Sequence, residues 1–379
     1  MNVAARLPLL FLGMLSLVVG VLAGLARLAV TVPVSAAAQA GSHGALMIAA
    51  FLGTVISLER AVALASNPNA TAGARYWPYL APLCAGLGGL TLLTGTPLWT
   101  AQALFIVAGA LLTAGSTQIV RQQPALYTAT LALGALSWLI GNIAWASTGS
   151  IFNAVSWWMA FLVLTIAGER LELSRFLPTP TAAKGAFAIV VAAMLVGMTM
   201  AFWQEEFGLR LFAATLIALS LWLLRYDIAR RTVRQAGLTR YIAVCLLAGY
   251  AWLAIGGLLG VAGGFTASSP LRDAALHAVF LGFVVSMIFG HAPIIFPAVA
   301  RIQIPYHPAF YLQLVLLHGS LAVRVIGDLA DVTLARQGAA IANGITLLTF
   351  VVTIVASALC GRNHRAATAA GNALRRSAL

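Results

Sequence analysis

The chain has 379 residues, of which 61% are hydrophobic and only 8% are charged, and its 22 basic and nine acidic residues give a formal net charge of +13. Soluble domains contain about 25% charged residues, so this composition excludes an ordinary soluble enzyme and a soluble nucleic-acid-binding protein. What the positive charge means depends on where the basic residues lie along the chain.

Twelve apolar runs follow one another, each close to the roughly 20 residues that a membrane-spanning helix needs. They cover residues 7–28, 42–64, 78–96, 100–120, 125–146, 153–170, 185–203, 207–224, 241–261, 272–297, 309–329 and 337–360. The connections between them are short, and no segment remains for a soluble domain. We therefore predict an all-α integral membrane protein with twelve transmembrane helices, in which residues 1–379 form a single polytopic domain.

The basic residues indicate how these helices are oriented. Seventeen of them lie in segments on the same side as the N-terminus, and five lie on the other side: Arg27, Arg210, Arg272, Arg324 and Arg336. Short loops rich in Lys and Arg remain on the cytoplasmic side. We predict cytoplasmic N and C termini in a bacterial-type inner membrane. The lipid bilayer is the expected partner of the basic segment 225–240, and no nucleic acid is expected.

A weak internal repeat has a period of four helices. Helix 2 ends with Glu59-Arg60 and helix 6 ends with Glu169-Arg170, each at the same predicted membrane face. Helix 10 has a comparable spacing of small and apolar residues before Pro297. This pattern predicts three four-helix pseudo-repeats in which helices 2, 6 and 10 are equivalent. The two Glu-Arg pairs are interpreted as structural ion pairs.

Two histidines have matching positions in this repeat. His43 lies at the outer start of helix 2 and His277 at the outer start of helix 10, so their imidazoles are expected at similar depth. A six-coordinate haem iron needs two axial ligands, and two neutral imidazoles satisfy that need. The alternative is that both histidines are hydrogen-bonded structural residues. Whether helices 2 and 10 are neighbours does not follow from these residues.

Two arginines are predicted at the same outer level. Arg324 near the end of helix 11 and Arg27 near the end of helix 1 are candidates for binding haem propionates. The alternative is that they extend to lipid headgroups or pair with Asp328 and Asp273.

A second site is conceivable deeper in the membrane. His291 follows His277 by fourteen residues, which places it on nearly the same helix face but about 21 Å further along, too far to bind the same iron. His291 and His318, with Met287 nearby, are candidate ligands for a second metal such as copper. The alternative is that both are polar helix-packing residues.

These segments resemble a known superfamily. The run His43-Gly-Ala-Leu-Met47, followed by Phe51-Leu-Gly-Thr54, resembles helix 2 of the catalytic subunit I of haem-copper oxidases and nitric oxide reductases. The segment from His277 to Pro297, followed by Ala322-Val-Arg-Val325, resembles helices 10 and 11 of that superfamily and, more closely, the NnrS family. The resemblance implies one haem b held by His43 and His277, with Arg324 near its propionates.

The chain also departs from that superfamily. Ala275 stands where a second helix-10 histidine would bind another haem, and helix 6 offers Trp157, Trp158 and Met159 where copper-binding histidines are expected. The resemblance therefore implies a degenerate fold without the binuclear centre, acting in electron transfer or in nitric oxide binding or response. It would be related to oxidoreductases, and a quinol, a cytochrome or other respiratory subunits would be its partners.

Two other classes of function stay open. All nine acidic residues lie at predicted helix ends or in loops, whereas proton-coupled transporters usually place an ionisable group in the bilayer interior. This disfavours, without excluding, a transporter of a small solute, haem or metal. A non-catalytic assembly subunit of a respiratory complex is the other alternative.

Overall fold

The computed structural model describes residues 3–66, 76–301 and 304–377, which form helices, turns and irregular segments with no strand among them. The twelve principal helices of this part are α1 (Val3–Ala26), α2 (Ala45–Ala65), α3 (Trp77–Leu93), α4 (Leu98–Gln122), α5 (Leu126–Thr148), α6 (Phe152–Leu173), α7 (Thr181–Met200), α8 (Glu205–Tyr226), α9 (Gly237–Gly264), α10 (Arg272–Pro297), α11 (Phe310–Leu329) and α12 (Thr333–Ser377).

Eleven of the helices in the described ranges are long and apolar enough to cross a membrane. The prediction of an all-α, multi-pass membrane protein is thus confirmed. The helix that falls short of this length is α3, which lies where the span 78–96 was predicted. It begins with a tight turn at Trp77–Tyr79, and the chain turns away at Gly95, whose φ is +69°. A glycine in this left-handed conformation commonly ends a helix.

Three stretches of the bundle are π-helical, which means that they are wound more loosely than an α-helix. They are Ala45–Leu52 at the start of α2, Gly260–Gly264 at the end of α9, and Ala278–Val285 within α10. π-helical turns are rare and frequently occur at functional sites. Two of the three follow His43 and His277 closely along the chain.

The helices around these stretches enclose a space on one side of the bundle. Helix α1 packs against α2, α10 and α12, and α10 also packs against α9 and α11. The second halves of α2 and α10 touch each other, whereas their π-helical stretches both line a cavity. The chain therefore brings helices 2 and 10 close together, which the sequence alone did not establish.

Elsewhere in the core, the side chain of Asn142 forms hydrogen bonds that connect three helices. The Nδ2 of Asn142 on α5 donates to the carbonyl of Phe105 on α4 at 2.8 Å, and its Oδ1 accepts from Nε1 of Trp158 on α6 at 2.9 Å. All three residues are buried. In the membrane interior no water is available to replace these hydrogen bonds, so the amide, the carbonyl and the indole depend on one another.

We expect Asn142→Ala to lower the free energy of unfolding by about 1–2 kcal/mol, because two interhelical hydrogen bonds are lost. Denaturant unfolding in detergent measures this change. Asn153→Ala at the start of α6 is the control, since the Asn153 side chain makes no hydrogen bond within the described part of the chain. Equal stability of the two variants would contradict the structural role of Asn142.

Candidate functional site

His43 and His277 lie together at one end of the bundle, although 234 positions separate them in the sequence. Their ring centroids are 6.4 Å apart, and the ring planes differ by only 19°. His43 comes directly before α2, and His277 lies in the second turn of α10. The two imidazoles, which were predicted to lie at equal depth, are therefore also direct neighbours.

Each imidazole is held by a backbone carbonyl. The Nδ1 of His43 lies 2.7 Å from the carbonyl oxygen of Gly20, and the Nδ1 of His277 lies 2.8 Å from that of Asp273. Because a carbonyl only accepts hydrogen bonds, both Nδ1 atoms carry the hydrogen. The Nε2 of each neutral ring then keeps a free lone pair, which is the usual arrangement of a metal-binding histidine.

The surroundings of His43 also favour its neutral form. This residue precedes the membrane-spanning segment Ala45–Ala65. Burial lowers the pKa of His43; the hydrogen bond to Gly20 and the charge of Asp273 raise it, the positive charges of Arg27 and Arg324 lower it, and the net shift is downward. A neutral imidazole is the form that binds a metal ion.

The spacing of the two rings fits one shared metal ion. An imidazole nitrogen lies about 2 Å from a bound metal, and a ring centroid lies about 1.2 Å behind its nitrogen, so two imidazoles on opposite sides of one ion have centroids about 6.4 Å apart. The observed distance of 6.4 Å agrees with this value. Within the described ranges, no group of three or more His, Cys, Asp or Glu side chains is arranged to hold a metal. A haem requires only two ligands from the protein.

Both histidines line a cavity of about 270 Å³ between α1, α2, α10, α11 and α12. Most of its wall is apolar and includes Met47, Phe51, Phe280, Ile288 and Phe350. Its polar lining comes from the following side chains: Arg27, His43, Asp273, His277, Arg324, Asp328, Arg336 and Asn343. The cavity is therefore mainly apolar, and its polar part combines basic and acidic side chains with the two imidazoles.

Arg324 supports the site in two ways. Its Nε and Nη2 both donate to Oδ2 of Asp273, at 2.9 and 2.8 Å. Oδ1 of Asp273 lies 3.3 Å from Nδ1 of His277, so the carboxylate connects the arginine to the histidine. Arg324 also lines the cavity, and its Nη1 has no hydrogen-bond partner among the described residues. The predicted pairing with Asp273 is thus present, and one donor remains for a ligand.

Two further arginines border the same cavity. Arg27 is exposed at the end of α1, and no hydrogen bond or ion pair of its side chain occurs in the described ranges. Arg336 on α12, which the sequence reasoning did not assign to the site, pairs with Asp331 at 2.8 Å and lies 3.8 Å from Asp328. Three guanidinium groups therefore border the cavity that the two histidines line.

Two glycines of α1 position His43, and the sequence reasoning missed both. Gly20 supplies the carbonyl that accepts from Nδ1. A Cβ atom at Gly24 would lie 2.7 Å from Cε1 and 2.8 Å from Nδ1 of His43, which is closer than such atoms can approach. The available signal was the spacing Gly20-Val-Leu-Ala-Gly24, a pattern of small residues that allows close approach to a membrane helix.

The two candidate ligands of a second metal have different surroundings. The Nδ1 of His318 accepts from Nε1 of Trp252 at 3.0 Å, and its Nε2 lies 3.5 Å from Oγ of Ser286. Both nitrogens of His318 are therefore engaged. His291 directs Nδ1 to the carbonyl of Met287 at 2.7 Å, and its Nε2 is buried without a partner. No contact joins His291 to His318 in the described part, and a copper site here stays a prediction that these contacts do not favour.

Comparison with known proteins gives one family. The sequence model of a family described as Domain of unknown function (DUF8744) matches residues 6–359, a range that includes α2 to α11 and both histidines. No curated protein matches the chain in sequence.

Proposed function

Because the chain belongs to the DUF8744 family, a domain of unknown function, we propose a function from the geometry of the site. The protein would be a membrane b-type haem protein, and His43 and His277 would together hold the iron of one haem. The observation that carries this proposal is the pair of imidazoles 6.4 Å apart, each with Nδ1 bound to a carbonyl and both lining one apolar cavity. Haem iron is commonly held by histidine in such surroundings.

The other residues of the cavity have matching roles. Arg324 and Arg27 would bind the haem propionates by charge-assisted hydrogen bonds. Apolar side chains such as Phe51 and Phe280 would contact the porphyrin and keep water from it. Asp273 would orient His277 and increase its basicity, as carboxylates beside metal-binding histidines do.

Electron transfer is the activity that this arrangement supports best. A bound haem would supply a one-electron couple, and both His43 and His277 would hold it. Nitric oxide binding or response is the second form of the same proposal. A quinol, a cytochrome or other respiratory subunits would exchange electrons with the site.

The proposal also includes a more specific fold. It is a degenerate arrangement like subunit I of haem-copper oxidases, with twelve spans in three four-helix units, in a bacterial-type inner membrane with cytoplasmic termini. In its support, His43 just before α2 and His277 within α10 are each followed closely by a π-helical stretch. Arg60 on α2 also pairs with Glu169 on α6 at 2.6 Å, which joins the ends of two helices that the repeat makes equivalent.

An optical spectrum tests the proposal directly. Protein purified in detergent from haem-replete cells should give the reduced-minus-oxidised spectrum of a b-type haem, and a pyridine haemochrome assay should find about one haem per chain because there is one pair of axial ligands. A colourless protein would contradict the proposal and favour the transporter or the assembly subunit. A ligand-dependent change of conformation would then indicate transport, and copurifying respiratory subunits would indicate assembly.

A further inference from the structure

A second candidate binding site lies away from the histidines, where α9 and α11 begin. Arg240, Tyr306 and Tyr311 line a groove of about 530 Å³ together with Ala236, Gly237 and Val244. Within the described ranges, the guanidinium of Arg240 and the hydroxyls of both tyrosines make no hydrogen bond, and Arg240 has no ion pair. Three donor groups therefore border one groove without a protein acceptor.

The two tyrosines are held in place from behind. The ring of buried Tyr241 packs edge-on against Tyr311, with centroids 5.3 Å apart, and lies 6.4 Å from the ring of Tyr306. The Tyr241 hydroxyl accepts from Nε2 of Gln313 at 3.4 Å. The groove is thus formed before any ligand binds, and its two free phenols need little reordering to donate to an anion.

The charge around the groove is positive and is not neutralised locally. Exposed basic residues of the neighbouring segment are Arg225, Arg230, Arg231 and Arg234. The one acidic residue of that segment, Asp227, is buried, and it accepts from the amide of Ala229 at 2.6 Å and from the hydroxyl of Tyr250 at 3.0 Å. An anion at the groove would therefore meet arginine side chains and no exposed carboxylate of this segment.

The position of the groove selects an amphipathic ligand. Helix α9 begins at Gly237 and α11 at Phe310, so the polar side of the groove lies where two spanning helices end. Val244 lies two turns further into α9 and gives the groove an apolar side. Arginine and tyrosine at the ends of spanning helices are typical of contacts with lipid headgroups.

We propose that Arg240, Tyr306 and Tyr311 bind the phosphate of an anionic phospholipid, with one acyl chain lying along Val244. This site is independent of the haem, because no residue that lines the groove also lines the cavity around His43 and His277.

Lipid retention tests the site. The full chain is washed in detergent containing equal amounts of phosphatidylglycerol and phosphatidylcholine, and bound lipid is counted by native mass spectrometry. We expect wild type to retain phosphatidylglycerol preferentially. Arg240→Gln should weaken this retention about fivefold, the effect of one basic residue near an anionic lipid. The double variant Tyr306→Phe, Tyr311→Phe should weaken it by at least about fivefold, because it removes two hydrogen bonds but leaves the rings in place.

Arg121→Gln is the matched control, since Arg121 is exposed at the end of α4 and lies outside the groove. It should retain lipid like wild type, and unchanged unfolding midpoints should show that all variants are folded. Equal retention by wild type and both groove variants would overturn the proposal. Displacement of phosphatidylglycerol by millimolar inorganic phosphate would also overturn it, because the groove would then recognise a soluble anion rather than a lipid.

Discussion

Replacing His43 or His277 by alanine is expected to remove haem almost completely from the purified protein. Each change takes away one of the two histidines that would hold the haem iron. The pyridine haemochrome assay, normalised to protein, measures the loss. Imidazole added to the growth medium should partly restore haem to His43→Ala, because the vacated space lies against an existing cavity.

His291→Ala is the matched control for this pair. His291 lies on the same helix as His277 and is likewise partly buried, but it does not line the cavity. Its variant should keep the haem content and the spectrum of wild type. Normal haem content in either His43→Ala or His277→Ala would falsify the axial pairing, whereas loss of haem in all three variants would indicate a general folding defect.

Replacing Gly24 by alanine is expected to lower haem affinity by about tenfold to a hundredfold, the usual effect of disturbing a residue that orients a metal ligand. The new Cβ would lie 2.7 Å from Cε1 of His43, so the imidazole must turn away and lose its hydrogen bond to Gly20. Titration of the apoprotein with haem, followed by absorbance, measures the change. A glycine that supplies no ligand atom would then control haem binding.

Gly13→Ala is the control on the same helix. A Cβ at Gly13 would lie 3.5 Å from Thr54, an ordinary van der Waals distance, so haem binding should not change. If Gly24→Ala binds haem as tightly as Gly13→Ala does, then the close approach of α1 does not determine the orientation of His43.

Most of the helices could be predicted because a membrane helix is encoded by a continuous apolar run. The predicted span 125–146 corresponds to α5 at Leu126–Thr148, and the predicted span 309–329 corresponds to α11 at Phe310–Leu329. The region 78–96 was less informative. Its hydropathy gives a run of nearly the same length, but Gly95 turns the chain and leaves α3 ending at Leu93.

The sequence predicted the depth of the two histidines in the membrane, but it did not predict which helices are neighbours. The direction of each helix places His43 and His277 at the same level, whereas hydropathy carries no information about which helices touch. The role of Asp273 was similarly ambiguous, because an arginine near an aspartate forms either an ion pair or a ligand contact. Arg324 pairs with Asp273 and also lines the cavity. Gly24 was missed because its effect depends on a partner from another helix.

The π-helical stretches Ala45–Leu52 and Ala278–Val285 make the aim of the histidines depend on residue count. A π-helical turn contains an inserted residue compared with an α-helical turn. A deletion inside either stretch is taken up when the wide turn returns to α-helical winding. A one-residue deletion in the α-helical part that follows has no wide turn to absorb it, and it would rotate the preceding histidine by about 100° relative to the rest of its helix. A chain shortened there would keep both histidines in its sequence and still lose their pairing, so the position of a deletion is as informative about haem binding as the histidines themselves.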